Sequence, residues 1–245
     1  MRPDEFRGTL TSVPLTAIGD WEEREMRLTV TSHLTLDGVM QSNGKPEPEL
    51  GDGFAQGGWQ VPYLDEDLAR FAADWITAAD AFLMGRRTYE LFAGHWAKVT
   101  DPDDPIATRL NRLPKYVVST TLDRPEWNNS RVLRGDVPEE VAKLKRQPGN
   151  EIQVHGSGAL IRTLMEHDLV DEYRLFIHPV VLGRGTRLFA DGTSPAALKL
   201  TGTKTTSRGV VVHVYQPSGK PVYGSVALEP EGAVVKDSAS RQAAP

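Results

Sequence analysis

The strongest local signal for chemistry is a glycine-containing segment that reads His155-Gly156-Ser157-Gly158-Ala159-Leu160. It joins a strand predicted at 151–155 to a helix predicted from about 159 to 168. Paired glycines allow a sharp turn and a close approach of the backbone to a ligand, and the free N–H groups at the start of a helix suit a diphosphate. Because Ile161 stands where the dinucleotide-binding fingerprint has its third glycine, a plain connection between strand and helix is the alternative.

Two further strand ends carry groups that suit anions. The segment Gly85-Arg86-Arg87-Thr88 follows a short strand predicted at 81–84, so its guanidinium groups could bind a phosphate monoester; a solvated basic turn is the alternative. The segment Ser119-Thr120-Thr121 places three hydroxyl groups at the end of a strand predicted at 115–119. Ligands of open α/β sheets bind at the carboxyl edge of the strands, so the three strand ends together favour nucleotide binding.

Candidate acids and a candidate wall for a substrate lie nearer the N-terminus. Asp37 follows the first predicted strand and Asp67 lies in the first turn of the first predicted helix, where turn formation and a helix-dipole role are the alternatives. Trp59 lies near the end of a long glycine-rich loop predicted at 41–62, where it fits a lid over a ligand or packing on the core. Because the chain lacks cysteine and its six histidines show no metal-ligand spacing, we expect no metal site.

The elements that position these groups alternate along the chain. Apolar and polar residues alternate over 27–36, which predicts a strand that ends at Asp37-Gly38. Apolar residues at helical spacing predict a helix at 65–79, and Asp136 with Pro138 predicts the start of another. Further elements are a helix from residue 86 or 87 to about 95 and strands at 172–182 and 210–215. This order predicts an α/β fold: a mainly parallel central sheet, helices on both faces, and an antiparallel edge formed by the last two strands.

Composition narrows the class of protein. The chain has 245 residues and a formal net charge of -5, which supports one sizeable domain and argues against a nucleic-acid partner. No stretch approaches the ~20 apolar residues of a membrane span, so we expect no membrane association and a cytoplasmic location. Residues 1–25 are interpreted as an N-terminal extension. Residues 218–245 are interpreted as a polar, mobile tail, because they offer little apolar surface to offset the entropy of ordering.

Taken together, these motifs resemble the dihydrofolate reductase-like superfamily, and more closely its RibD C-terminal reductase group. The resemblance covers about residues 26–216 and implies one reductase domain at 26–217. Its motifs are, in order, Leu36–Met40, Trp59–Pro62, Met84–Glu90, Val118–Thr120, Val154–Gly158, Leu169–Tyr173, Pro179–Gly185 and Leu188-Phe189.

The resemblance implies NADPH as the cofactor and assigns its binding residues. The turn at Gly85–Thr88 and the hydroxyls of Ser119 and Thr120 would hold the adenosine side with its 2′-phosphate, and the turn at His155–Leu160 would cradle the diphosphate. The resemblance also implies a homodimer formed through the late strands, for which the segment Tyr173–Leu182 is apolar enough.

The resemblance also assigns the substrate side. The loop at 37–62 would close over nicotinamide and substrate, which gives Met40 and Trp59 a role in substrate binding. Asp37 and Asp67 are the candidate catalytic acids. Compared with true dihydrofolate reductases, the acids at 65–67 lie farther along the chain from Trp59, which argues against folate as the substrate.

The function implied is an NADPH-dependent reductase that passes hydride to a small heterocyclic or sugar-linked substrate. It would resemble the 5-amino-6-(5-phosphoribosylamino)uracil reductase of riboflavin biosynthesis, as a stand-alone reductase without the zinc-dependent deaminase domain. A true dihydrofolate reductase and a non-catalytic NADPH-binding protein are the alternatives.

Overall fold

A computed structural model describes residues 25–42, 53–229 and 232–236. Its elements in chain order are β1 (Arg27–Thr35), α1 (Glu66–Thr77), β2 (Ala81–Gly85), α2 (Arg86–Trp96), α3 (Pro105–Arg112), β3 (Lys115–Val118), β4 (Ser130–Leu133), α4 (Val137–Lys145), β5 (Glu151–His155), α5 (Gly158–Glu166), β6 (Glu172–His178), β7 (Leu198–Thr205), β8 (Val211–Pro217), β9 (Ser225–Glu229) and β10 (Gly232–Lys236). The predicted strand at 172–182 is shorter than expected, because Pro179 follows His178 and has no N–H to offer a neighbouring strand.

Within the described residues, eight strands form one sheet in the order β4-β3-β2-β5-β1-β6-β8-β7. The strands from β4 to β6 are parallel to their neighbours, whereas β8 is antiparallel to β6 and β7 is antiparallel to β8. The predicted fold class, a mainly parallel sheet with an antiparallel C-terminal edge, is confirmed. The strands predicted at 172–182 and 210–215 do pair antiparallel, as β6 and β8, but β6 also pairs in parallel with β1 and the outermost strand is β7.

Apart from β9 and β10 in the predicted tail, three elements are not indicated by the sequence patterns. The helix α3 has eight residues, too few for a clear helical period, and the strand β4 has only four. The edge strand β7 is largely exposed, so it lacks the alternation of apolar and polar residues that marks a half-buried strand.

Aspartate side chains begin three of the helices. Asp65, Asp104 and Asp136 each accept a backbone N–H from the first turn of α1, α3 and α4 at 2.8–2.9 Å. Each carboxylate satisfies one or two of the N–H groups that have no partner within the helix. The predicted role of Asp136 at the start of its helix is confirmed.

One face of the central strands, which we call the aliphatic face, is packed with apolar side chains. It comprises Leu28, Val30 and Leu34 of β1, Leu83 of β2, Ile152 and Val154 of β5, and Leu175 of β6. The helices α4 and α5 cover it with Val141, Leu144, Leu160, Ile161 and Leu164. Their burial follows the ordinary rule that an apolar sheet face requires a helix against it.

The opposite face of the same strands, the polar face, is covered but carries polar side chains. It comprises Thr29, Thr31 and His33 of β1, Glu151, Gln153 and His155 of β5, and Glu172, Arg174 and His178 of β6. Aromatic and aliphatic residues at its margins pack against α1, α2 and α3, so helices lie on both faces of the sheet. Arg174 pairs with Glu151 at 2.8 Å and with Glu172 at 2.7 Å, and its guanidinium carbon lies 5.4 Å from the centre of the Trp75 ring.

The ends of the chain are described in part. Residues 1–24 of the predicted N-terminal extension lie outside the described residues. Within the predicted tail, β9 and β10 form an antiparallel hairpin, and the mobility of residues 218–245 stays a prediction. None of the helices within the described ranges is both long and apolar enough to cross a membrane.

Candidate cofactor and substrate site

The three strand ends singled out in the sequence meet at one edge of the sheet. They follow β3, β2 and β5, which are consecutive neighbours. The backbone N–H of Gly85 donates to Ser157 Oγ at 2.9 Å, and Ser157 Oγ donates to Thr88 Oγ1 at 2.8 Å. The two glycine turns are therefore directly bonded to each other, and the convergence expected from the sequence is present.

Gly156 is required by the geometry of this turn. Gly156 has φ 56° and Ser157 has φ 65°, both in the left-handed region. A Cβ on Gly156 would lie 3.3 Å from Thr88 Oγ1, so a side chain there would push the two turns apart. The first turns of α2 and α5 carry no side-chain cap, which leaves their N–H groups open to a ligand at this edge.

The chain reverses its direction across the sheet between β5 and β1. From β1 it passes through α1 on the polar face to β2, whereas from β5 it passes through α5 on the aliphatic face to β6. A crevice at such a reversal is the usual ligand site of an open α/β sheet. Met40 lies here, because a Cβ on Gly158 would be 3.0 Å from Met40 Sδ.

The predicted phosphate-binding side chains differ in whether they are exposed and already hydrogen-bonded. Arg86 and Arg87 are both exposed, and Arg86 forms an ion pair with Glu90 at 3.7 Å. Ser119 is buried, and its Oγ accepts the backbone N–H groups of Thr121 and Leu122 at 3.2 and 2.9 Å. Ser119 therefore closes its own turn, whereas the neighbouring Thr120 is exposed.

The side chain of His155 packs beneath the glycine turn. Its ring centre lies 5.9 Å from that of Phe82 and 6.1 Å from that of Phe92, and its Nε2 contacts Gln153 Oε1 at 2.9 Å. Burial, and then the charge of Arg174, lowers the pKa of His155 to about 4. The imidazole is therefore neutral at physiological pH and supports the turn from below.

Asp37 organises the start of the loop that follows β1. Its carboxylate accepts the Thr35 hydroxyl at 2.6 Å and the backbone N–H groups of Leu182 and Gly183 at 3.2 and 2.8 Å. Arg187 Nε also donates to the Asp37 carbonyl at 2.9 Å. The hydrogen bond from Thr35 is the largest effect that lowers the pKa of Asp37, to about 2. An ionised carboxylate with these partners holds two loops together and has no proton to give.

Met40 and Trp59, the predicted substrate-binding residues, are both hydrogen-bonded close to the loop that follows β1. The Met40 N–H donates to the Thr186 carbonyl at 2.8 Å. Trp59 is buried, its indole Nε1 donates to the Gln41 carbonyl at 2.8 Å, and its ring contacts His178 edge-on at 5.1 Å. Met40 is therefore tied to Thr186, and Trp59 is tied to the segment that follows β1. The part of the predicted loop between residues 43 and 52 lies outside the described residues.

Asp67 occupies a different part of the carboxyl edge. Its carboxylate accepts Arg70 Nη2 at 2.8 Å and the backbone N–H of Ser207 at 3.1 Å. Asp65 accepts the Ser207 hydroxyl and the Arg208 N–H, both at 2.9 Å. These acids attach the start of α1 to the turn between β7 and β8. Among the described residues, Asp67 has no bond to Met40, Trp59 or the glycine turns.

A pair of histidines at the ends of β1 and β6 is missed by the sequence reasoning. His33 Nδ1 lies 3.0 Å from His178 Nε2, although 145 residues separate them in the chain. Burial is the largest effect that lowers the pKa of His33 to about 3 and that of His178 to about 4, so both rings are neutral. The only sequence signal is that each histidine lies near the end of a predicted strand. To predict the contact, it would have been necessary to know that these two strands are neighbours in the sheet.

A separate cleft of about 540 Å³ opens at the opposite edge of the sheet. It is lined by residues near the starts of β3 and β4, among them Asn111, Arg112 and Trp127. None of the predicted site residues borders it. We favour the carboxyl edge for chemistry because the uncapped helix N-termini and the glycine turns lie there and the cleft has neither.

Comparison with known proteins bears on this arrangement. Residues 27–212 match the family model of the RibD C-terminal domain. The chain is also 37% identical over 199 residues to the uncharacterized protein YyaP of Bacillus subtilis (strain 168), an alignment that spans 80% of this chain and 97% of YyaP.

Solved structures share the fold at low sequence identity. A putative riboflavin biosynthesis protein from Shewanella sp. PV-4 matches with a TM-score of 0.57 at 18% identity, over 79% of this chain and 99% of that one. A diaminohydroxyphosphoribosylaminopyrimidine deaminase/5-amino-6-(5-phosphoribosylamino)uracil reductase from Thermotoga maritima matches with a TM-score of 0.53 at 12% identity, over 79% and 57% of the two chains. Dihydrofolate reductase from Enterococcus faecalis, complexed with NADP(H) and RAB-propyl, matches with a TM-score of 0.51 at 14% identity, over 79% and 98%. The dihydrofolate reductase-like fold is thereby confirmed.

Proposed function

The chain belongs to the RibD C-terminal domain family, and from that premise we propose that it is an NADPH-dependent reductase of a small heterocyclic or sugar-linked substrate. The observation that carries the proposal is the joining of two glycine turns through Ser157 at the starts of two uncapped helices. The NADP(H) in the related dihydrofolate reductase complex supports the choice of cofactor.

The residues at the carboxyl edge fit a dinucleotide phosphate. The N–H groups at the start of α5 would hold the diphosphate, because Gly156 and Gly158 leave the backbone bare there. The exposed guanidinium groups of Arg86 and Arg87, with the Thr120 hydroxyl, would hold the 2′-phosphate. The bound cofactor supplies the hydride, and the protein binds and orients the two reactants.

On the substrate side we propose a compound like that of the 5-amino-6-(5-phosphoribosylamino)uracil reductases, as the name of one structural relative suggests. Another relative is named a putative riboflavin biosynthesis protein. Met40 and Trp59 would form a wall of its pocket, with Asp37 fixing the loop that carries Met40. Folate is the second candidate, favoured by Asp67 at the start of α1. Against it, the carboxylate of Asp67 is already bonded to Arg70 and to the N–H of Ser207.

A substitution at Gly158 tests the cofactor site. Gly158→Asp would put a carboxylate against the diphosphate, so we expect NADPH affinity to fall by about 100-fold or more, as measured by titration beside NADH. Gly94→Asp on α2 is the matched control, because a side chain there meets open space. Gly158→Ala checks the fold, since its Cβ would meet only side chains, nearest the flexible Met40.

Unchanged NADPH affinity in Gly158→Asp would contradict the site. NADPH consumption is then measured with a panel of carbonyl, imine and dihydrofolate substrates. Turnover would identify either the proposed reductase or a dihydrofolate reductase, and binding without turnover would identify a non-catalytic NADPH-binding protein. The homodimer and the cytoplasmic location stay predictions, to be checked by light scattering and by cell fractionation.

A further inference from the structure

The His33–His178 pair lies at the carboxyl edge and is not used by the proposed function. The rings are adjacent because β1 and β6 pair in parallel, with Thr35 opposite His178 and His33 opposite Phe176. His178 is fully buried, whereas His33 is partly exposed. Among the described residues, no third His, Cys, Asp or Glu joins them in a cluster that could hold a metal ion.

The rings are held in place by aromatic neighbours. His33 stacks on Phe176 with ring centres 4.6 Å apart and planes 15° apart. Trp59 and Tyr63 contact His178 edge-on at 5.1 and 5.6 Å. The partly exposed His33 imidazole thus stacks on the apolar ring of Phe176 and lies beside the buried His178, a setting that suits a planar and uncharged ligand.

The burial of His178 fixes the tautomer of the pair. The Nδ1 of His178 is buried without a partner among the described residues. If His33 Nδ1 donated to His178 Nε2, the neutral His178 would carry its proton on that buried Nδ1, and orphaned N–H groups are rarer than under-used acceptors. We therefore assign the donor to His178 Nε2–H and the acceptor to His33 Nδ1. This leaves the proton of His33 on Nε2.

We propose that His33 Nε2–H is a substrate-binding donor for the carbonyl oxygen of a planar heterocyclic ring, with His178 as the positioning residue that fixes its tautomer. This inference rests on the proposed function and names the substrate class of that site. A neutral N–H group donates to a ring carbonyl, such as that of a pyrimidinedione, and disfavours a ring that presents amino groups in the same place. It therefore separates a uracil-type substrate from a diaminopyrimidine, which would require an ionised acid such as Asp67.

The tautomer is measurable without any ligand. Long-range ¹H–¹⁵N spectra of the full chain are expected to show His33 protonated at Nε2 and not at Nδ1 down to pH 5. In His178→Phe we expect His33 to become a mixture of both tautomers, whereas the exposed His95→Phe control on α2 leaves the His33 signals unchanged. A wild-type His33 protonated at Nδ1 would overturn the assignment.

Ligand binding tests the substrate class, with 5-aminouracil and 2,4-diaminopyrimidine as probes. We expect 5-aminouracil to bind more tightly than 2,4-diaminopyrimidine and to shift the His33 Nε2–H signal. Loss of one hydrogen bond in His33→Phe should weaken 5-aminouracil binding about tenfold, and His33→Gln, which keeps an N–H donor, should restore most of it. No binding of 5-aminouracil, equal binding in His33→Phe, or a preference for 2,4-diaminopyrimidine would each overturn the inference. A separate NADPH titration of the same samples shows whether the proposed function itself has failed.

Discussion

The aliphatic and polar faces belong to the same strands and are both covered by helices, yet they are held in different ways. On the aliphatic face, side chains such as Leu28, Val30 and Val154 pack through apolar contacts, which have no preferred direction. On the polar face, Arg174 is bonded to Glu151 and Glu172, and the Thr29 and Thr31 hydroxyls have no partner among the described residues. The first kind of packing tolerates replacement by similar shapes, whereas the second depends on each partner being present.

The difference divides the work of the proposed site between the faces. The aliphatic face anchors α5, whose N-terminus is the candidate diphosphate site. The polar face carries His155 beneath the glycine turn and, farther along, the His33–His178 pair beside Trp59 on the candidate substrate side. In the proposed function, the apolar core would support the diphosphate site from one face, and buried polar groups would support the glycine turn and the substrate side from the other. Three predictions test this division.

The largest effect is expected from Glu151→Ala on the polar face. It leaves the buried guanidinium of Arg174 without its bidentate partner, which should cost about 3–5 kcal/mol of unfolding free energy in urea titrations. Replacing all three residues of the ion-pair cluster, Glu151→Leu with Arg174→Met and Glu172→Gln, should recover most of that loss because no buried charge is then left without its close partner. On the aliphatic face, Leu164→Met should cost less than ~1.5 kcal/mol. A Glu151→Ala cost no larger than that of Leu164→Met would remove the distinction between the faces.

Acid is expected to weaken the polar face selectively. His178 has a pKa of about 4 in the folded protein against 6.5 for an ordinary histidine, so the unfolded chain binds the extra proton first as the pH falls. Stability therefore declines from about pH 6.5 towards pH 4, by about 2 kcal/mol at pH 5 for this residue. His178→Phe should flatten the stability profile by that amount, with His33 and His155 titrating in the same window. An unaltered acid slope in His178→Phe would argue against a neutral, buried His178.

The smallest effect should be the same on both faces. Asp104 begins α3 over the polar face and Asp136 begins α4 over the aliphatic face. Asp104→Ala and Asp136→Ala should each cost about 1 kcal/mol, because a cap satisfies N–H groups of its own helix only. Denaturant midpoints of the two variants provide the measurement. If Asp104→Ala cost several times more unfolding free energy than Asp136→Ala, the helices over the polar face would depend on one another more than the structure indicates.

Much of the candidate site follows from local sequence. Gly156 and Gly158 between a strand and a helix, and Gly85 before Arg86, specify turns whatever surrounds them, and the structure joins these turns as expected. Asp37 was recognisable as a turn residue, but its second loop at Leu182 and Gly183 is 145 residues away in the chain. No local pattern reports a partner at that distance, so the bond between the two loops was not predictable, although Thr35, which has the largest effect on the pKa of Asp37, is only two residues away.

The sequence by itself determined the periodic elements, the mainly parallel order of the sheet and the apolar stripe of each strand, because these depend on side-chain spacing along a few residues. Only the tertiary structure decided that the polar stripe of β1 is buried, that β6 lies beside β1, and that His33 meets His178. The physical reason is that a polar residue gives the same sequence pattern whether its side chain faces water or contacts a partner on a distant strand. Burial and pairing are properties of the assembled sheet, and they set the protonation of the two histidines.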